Sequence, residues 1–272
     1  MIKKVLVSIS LMLCAILGFA EEAPFSDELA FVGGERAYYN IYYNLGPIWI
    51  HAGDVEFTVK ERKVNKVEMY DFQLAGSSTK SFDKFYCIRD TFFATATKKD
   101  LLPYSYREVK HEDSYFCDKR YNFEWKGDKA TLYTKFQRKK KLSYDTLSLE
   151  KGVLDLLTTC YHFRSVDISK VKKGQYIPFQ LVYDNEFYNL KVKYSGTENV
   201  KLKNKKKYKA LKFTPQMITG DIFEDEDAMS IYVSNDENHV PLYIEAKIKV
   251  GYVKVMLSEV SNTKTPMSSV LK

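Results

Sequence analysis

Apolar and polar residues alternate with a period of two along most of this chain. Ala37, Tyr39, Ile41 and Tyr43 share one parity, and Arg36, Asn40 and Tyr42 take the other. Val55, Phe57 and Val59 alternate with Asp54, Glu56, Thr58 and Lys60, and Tyr70, Phe72 and Leu74 with Met69, Asp71 and Gln73. Tyr121, Phe123 and Trp125 follow the same rule, as do Tyr188, Leu190, Val192 and Tyr194. Turn-forming residues separate the runs at Leu45-Gly46-Pro47, Lys126-Gly127-Asp128 and Asp184-Asn185-Glu186. Successive side chains of a strand point to opposite faces, so these runs predict half-buried antiparallel strands.

One segment changes period. In LEKGVLDLLTTCYHFRS, residues Val153, Leu156, Leu157, Cys160 and Phe163 fall at helical spacing. That stripe predicts one amphipathic helix over Gly152–Phe163, placed near 152–164 between two groups of strands. A lone amphipathic helix in a β protein must bury its stripe against a sheet.

The stretch Ser230–Val260 holds a change of phase. Leu242, Ile244, Ala246, Ile248 and Val250 are even-numbered, whereas Val253, Val255 and Leu257 are odd. A one-residue shift swaps the faces of a strand, so Gly251 is expected to mark a β-bulge or tight bend that curls the sheet toward closure.

Composition supports a β protein and adds a location. The chain has 21 Tyr and 17 Phe among 272 residues, and aromatic side chains suit a pleated surface with one covered face. Lys3 and Lys4 precede the apolar run Val5–Phe19, and Gly18 and Ala20 are small residues before Glu21. This layout predicts a signal peptide over residues 1–20 and export to the periplasm or cell envelope. Cys14 lies inside the apolar run, after Leu13, which disfavours a lipidated cysteine. Residues 21–272 are then expected to form a single β-rich domain, with no Pro- or Ser-rich linker inside it.

Beyond the leader, Cys87, Cys117 and Cys160 remain. A bridge between Cys87 and Cys117 would close a loop of about 30 residues. The reading favoured is that all three are small buried apolar residues, because a core of this size needs no staple. The net charge of +7 is too mild to imply nucleic acid. Basic clusters at Arg138–Lys141 and Lys201–Lys209 lie between strand-like runs and read as hairpin tips, with contact to an anionic membrane surface as the functional alternative.

No catalytic or phosphate-binding motif is present, and His51, His111, His162 and His239 lie far apart. Asp221, Glu224, Asp225, Glu226 and Asp227 crowd together without the oxygen spacing of a calcium loop. No metal, cofactor or catalytic residue is therefore assigned, and an enzyme, such as a hydrolase, is the least favoured class. If the sheet is curved and open, its inner aromatics would line an apolar groove. Tyr39, Ile41, Phe57, Phe123 and Trp125 are the candidates to line it.

The segments GERAYYNIYYNLGPIWIHAGDVEF, FYCIRDTFFATATKKDLLPYSYREV, VLDLLTTCYHFRS and GDIFEDEDAMSIYVSNDENHVPLYIEAKIKVGYVKVML carry a resemblance. In order and spacing the chain resembles domain-of-unknown-function family 3108, a family of exported bacterial envelope proteins. The resemblance implies export and a largely β architecture, and it carries no catalytic residue to transfer. In architecture alone the pattern is also similar to periplasmic lipoprotein carriers. The fold expected is mainly β: a curved antiparallel sheet approaching a barrel or a two-layer sandwich, with one amphipathic helix packed on it. The function expected is non-catalytic binding of an apolar or amphipathic, lipid-like ligand, or else an envelope scaffold or assembly partner with a filled core.

Overall fold

The computed structural model describes residues 24–216 and 227–271. The leader at 1–20, Cys14 and most of the acidic cluster at 221–227 lie outside the described residues.

Alternating runs become strands where they were expected. The first group is β1 (Arg36–Leu45), β2 (Ile48–Val64), β3 (Val67–Ser78), β4 (Ile88–Thr97), β5 (Pro103–Glu112), β6 (Tyr115–Lys126), β7 (Lys129–Arg138) and β8 (Lys141–Glu150). A two-residue strand, β9 (Val153–Leu154), leads into the helix α1 (Leu156–Phe163). The second group is β10 (Tyr176–Tyr183), β11 (Glu186–Lys201), β12 (Lys207–Pro215), β13 (Met229–Ser234), β14 (Pro241–Lys247), β15 (Tyr252–Ser261) and β16 (Val270–Leu271).

All sixteen strands belong to one sheet, ordered β8-β7-β6-β5-β4-β3-β2-β1-β15-β14-β13-β12-β11-β10-β9, with β16 added to β12. The chain therefore takes the barrel-like alternative and not the two-layer one. Every pairing is antiparallel except the short β9–β10 contact. The two groups of strands meet where β1 pairs with β15.

The sheet curls until its edges approach one another, and side chains bridge the seam. Asn185, in the β10–β11 turn, donates from Nδ2 to Asp145 Oδ2 on β8 at 3.1 Å. Neighbouring Asp184 pairs with Arg138 at 3.1 Å, and its backbone N–H donates to the Tyr121 hydroxyl at 2.9 Å. The result is a nearly closed barrel-like sheet. Register shifts accompany the curvature at Tyr38/Tyr39 and Ile41/Tyr42 in β1, and at Tyr232/Val233 in β13. An extra residue on one strand bends it and increases its twist.

Gly251 acts otherwise than as a bulge inside one long strand. It sits in the bend between β14 and β15, which pair as a hairpin. The change of parity is a reversal of chain direction. Gly251 has φ +87°, and a Cβ there would fall 2.1 Å from the Asn44 carbonyl oxygen.

The helix is shorter than its apolar stripe. Val153 and Leu154 are buried, but they add to β10 as strand β9 and not as a helical turn. Asp155 then caps α1, its Oδ1 accepting from Leu157 N at 3.0 Å and Thr158 N at 2.9 Å. Its Oδ2 accepts from the Thr158 hydroxyl at 2.7 Å. Helix α1 packs against β3, β4 and β10. Leu157 and Tyr161 join Phe31, Phe72 and Phe92 in one core cluster, with the Tyr161 and Phe72 rings stacked 4.2 Å apart. Leu156 and Phe163 pack against a second cluster built on Phe179, Leu190 and Phe213.

The basic clusters divide. Arg138 and Lys141 flank the β7–β8 turn, as expected of a tip. The second cluster is only partly a tip, since Lys207 and Lys209 lie on β12 and Lys203 sits 3.5 Å from the Tyr42 ring centroid. Cys87, Cys117 and Cys160 are free thiols. Cys117 is buried as expected, whereas Cys160 is exposed.

Candidate functional site

A row of inward-facing residues crosses four strands in direct register. Ile231 on β13 stands opposite Ile244 on β14, Ile244 opposite Val255 on β15, and Val255 opposite Ile41 on β1. All four are half-buried. Their neighbours two positions along are buried: Val233, Leu242, Leu257 and Tyr39 on one side, Ala246, Val253 and Tyr43 on the other. In a filled interior the inward face is close-packed throughout. A half-exposed apolar row between buried rows borders a space. Val55, Phe57 and Leu74 extend this half-buried wall onto β2 and β3.

Cys160 on α1 locates the other wall. Its surface is open to solvent, yet desolvation by the surrounding protein pushes its thiol up to about 11. Both observations hold if the sulfur faces an enclosed lumen rather than the outside. Cys160 also acts electrostatically on the Tyr39 hydroxyl, so this part of α1 lies toward β1.

A buried charged cluster lies on the inward face of the neighbouring strands. Asp90 on β4 is paired with Lys110 on β5, Phe92 with Glu108, and Glu108 in turn with Lys119 on β6. Glu108, Lys110, Glu112 and Lys119 are each no more than 3 % exposed. The ammonium of Lys110 lies 3.0 Å from Glu108 Oε1, and that of Lys119 lies 3.2 Å from it. Lys119 also donates to the Tyr183 hydroxyl at 2.7 Å and pairs with Asp184 at 2.7 Å. Tyr183 and Tyr106 donate to Glu108 at 3.1 and 3.0 Å. Burial alone would push the Glu108 carboxyl up, but Lys110 and Lys119 outweigh it and hold the carboxyl below its usual range. Asp90 shows the reverse. Burial, and then the charge of Glu112, push it up to about 7.

Glu112 is the neighbour of Asp90. Tyr86 donates to its Oε2 at 3.1 Å, Oε1 is buried, and the proton that Asp90 retains is shared with the Glu112 carboxylate. Tyr86 belongs to the same apolar cluster that Ile41 and Val255 pack against, so the charged cluster adjoins that cluster.

The five lining candidates occupy different parts of the interior. Tyr39 and Phe57 meet edge to face with centroids 5.6 Å apart, and Phe57 also meets Tyr161. Ile41 stands in the half-exposed row. Phe123 is 4 % exposed within the first core cluster, and Trp125 packs against that cluster with its indole N–H donating to the Pro103 carbonyl at 2.7 Å. Tyr39 and Phe57 are thus in contact, and Phe57, Phe123 and Trp125 share the first core cluster, Phe123 and Trp125 from β6. The alternation of aromatics did not reveal Glu108, Lys110, Glu112 and Lys119. In REVKHE the buried positions carry charges and the half-buried Val109 carries the aliphatic side chain, which inverts the usual signal.

The histidines stay dispersed. His51 bonds Asp54 at 2.8 Å, His162 stacks on Phe25, and His239 Nδ1 contacts the Arg164 carbonyl at 2.6 Å. Among the described residues no group of three or more His, Cys, Asp or Glu is placed to hold a metal ion, and no helix is long and apolar enough to cross a membrane. An open depression of about 990 Å3 runs over β15, β1, β2, β3, β4 and β5, and Tyr39, Val55, Gly76 and Asp90 are among the residues that line it. Of the arginines that line it, Arg36 pairs with Glu56 and Arg89 with Asp83.

The family described as "Protein of unknown function (DUF3108)" matches residues 38–258, and the chain belongs to that family. The fold is similar to the crystal structure of a beta-barrel-like protein of domain of unknown function DUF1849 from Brucella abortus. That likeness has a TM-score of 0.55 at 12 % identity and covers 87 % of this chain and all of the other. No curated protein matches the chain.

Proposed function

We propose that this DUF3108 protein is an exported, non-catalytic envelope protein that binds an apolar or amphipathic, lipid-like ligand inside its barrel. The observation that carries this reading is the half-exposed row Ile231–Ile244–Val255–Ile41, facing inward between buried rows and opposite the enclosed Cys160. An apolar lumen gains most from an apolar occupant, because each buried methylene contributes about 0.8 kcal/mol. The polar cluster at its border would orient such a ligand, as a few fixed polar groups do in most small-molecule sites.

A second reading has its own support. Strand β8 pairs only with β7, and its Leu142 and Tyr144 are 48 % and 67 % exposed. An unpaired edge is a template for a strand from another chain, so an envelope scaffold or assembly role would use β8.

Fluorescence of N-phenyl-1-naphthylamine separates the two. The lumen reading expects saturable enhancement on adding the protein, lost in Ile244→Trp, which fills the lumen. No enhancement, or enhancement that Ile244→Trp leaves intact, would overturn it and leave the scaffold reading in place.

A further inference from the structure

Strand β8 ends the sheet, and the β7–β8 hairpin decides which of its backbone groups are free. Arg138 and Lys141 close the turn, and the ladder runs from there without a bulge to Lys129 opposite Glu150. The residues that close a two-residue turn are hydrogen-bonded to each other, and such pairs recur at every second residue of an antiparallel ladder. Lys141, Ser143, Asp145, Leu147 and Leu149 therefore bond to β7, and Leu142, Tyr144, Thr146 and Ser148 turn their N–H and C=O groups to the open edge. Thr146 agrees with this assignment, since its N–H donates to the Asp145 carboxylate at 2.8 Å and not to β7. Among the described residues the edge groups of Leu142 and Tyr144 have no backbone partner.

The edge is open as well as unpaired. Every residue of Lys141–Thr146 is exposed, on both faces of the strand, although Asn185 reaches the Asp145 side chain across the seam. This short stretch is complementary to itself. When β8 meets β8 of a second copy in antiparallel fashion, edge-facing residues must oppose edge-facing residues, which leaves few registers. A two-fold axis at Ser143 sets Leu142 opposite the second copy's Tyr144 and Lys141 opposite the second copy's Asp145, each contact occurring twice by symmetry. It also gives Leu142 and Tyr144 the backbone partners they lack. An axis at Asp145 would oppose two carboxylates. An axis at Tyr144 or Thr146 would set Lys141 or Asp145 opposite Leu147 and would need the Thr146 N–H, which Asp145 already holds. An axis at Leu142 would leave Tyr144 opposite the turn residue Lys140.

We propose that β8 pairs with β8 of a second copy of this chain about a two-fold axis at Ser143, joining two sheets edge to edge. The inference rests on the second reading above, in which β8 is an interaction edge, and it names the partner. Opposite charges and apolar side chains that face each other across a strand pair both stabilise it, and like charges there oppose it. The overlap Lys141–Asp145 is short, so the dimer is weak and reversible, as small interfaces are. Because both copies use the same surface, the pairing closes at two chains and removes the free edge instead of propagating it.

The test is sedimentation velocity of the full mature chain over a concentration series. Wild type is expected to pass from monomer to dimer as concentration rises. Lys141→Glu and Asp145→Lys each oppose like charges twice across the axis, and each is expected to weaken the dimer about tenfold or more. An equimolar mixture of these two variants restores opposite charges at both contacts and is expected to dimerise as wild type does. Ser143→Cys is expected to cross-link between chains in air well above the wild-type background, while Ser148→Cys, far from the axis, stays at background. The cross-link is read on its own and stands even if a charge variant fails to fold. Wild type that remains monomeric up to its solubility limit, a mixture no better than its components, or equal cross-linking at 143 and 148 would overturn the pairing. Hydrogen exchange at the Tyr144 amide separates this failure from failure of the edge reading. Protection that grows with concentration supports the pairing. Fast exchange at every concentration overturns self-pairing and leaves β8 open to another chain, whereas protection that persists at every dilution shows a closed edge and overturns both.

Discussion

Arg164, the residue that ends α1, grips Glu35 in a buried bidentate ion pair. Its Nη2 lies 2.9 Å from Glu35 Oε2, and Nη1 contacts Oε1. The same guanidinium donates to the Ala30 carbonyl at 3.2 Å and to the Asn238 carbonyl at 2.8 Å. One side chain thus ties the helix to the segment before β1 and to the β13–β14 turn, and fixes the wall that carries Cys160. Removing one partner leaves the other charge buried and unpaired. Glu35→Ala is expected to destabilise the fold by about 3–5 kcal/mol, read as a fall in the urea midpoint. A change near that of an exposed ion pair, about 0–1 kcal/mol, would show that the pair does not anchor the helix.

Asp155 has a similar part at the other end of α1. Its carboxylate satisfies two backbone N–H groups and the Thr158 hydroxyl in a site with no exposure. Asp155→Ala is expected to cost about 1–2 kcal/mol in chemical denaturation. Asp155→Asn, which keeps an acceptor at the cap, is expected to cost less. Equal losses would mean that the acceptor oxygen is not what matters.

Gly251 and Gly46 both have positive φ, +87° and +63°, but only Gly251 faces the Asn44 carbonyl where a Cβ would go. Gly46→Ala bears only the backbone cost, about 1 kcal/mol. Gly251→Ala bears that cost and a clash with backbone that pairs within the sheet, so its loss in thermal stability should be clearly the larger. Comparable melting temperatures for the two variants would contradict the tight approach of β1 to this hairpin.

Legibility from sequence follows the physics of each element. Strands β1, β2, β3, β6 and β11 were readable because one face is apolar and the other polar, the condition that makes period two visible. Helix α1 was readable in kind but not in length, because Val153 and Leu154 are buried in a strand pairing and buried residues look alike in helix and strand. At Gly251 the sequence showed a change of parity, which a bulge and a hairpin produce equally; only partner strands distinguish them. Tyr39, Ile41 and Phe57 were legible as inward aliphatic and aromatic positions. The acid–base cluster was hidden because Glu108, Lys110 and Glu112 occupy inward positions while wearing the residue types of a solvated face.

The charged interior predicts a specific pH dependence. Asp90 is pushed up to about 7 by burial and Glu112. Its folded-state value lies above its unfolded one, so the folded state binds the extra proton. The contribution to stability is complete at low pH and is lost as pH rises through about 7. Asp90→Asn removes this loss. Relative to wild type it should gain about 2 kcal/mol between about pH 5 and pH 8 in urea titrations, less than the bare shift implies because the carboxyl is only half-buried. A parallel pH profile for the two proteins would show that Asp90 ionises in the fold without penalty.

Native mass spectrometry of the protein purified without detergent from the cells that make it tests the proposed binding function most directly. A single adduct of lipid-like mass, present in near one-to-one amount in the wild type, extractable into organic solvent and absent from Ile244→Trp, is the predicted result. Bare polypeptide mass for the wild type under the same gentle handling, across repeated preparations, would contradict it.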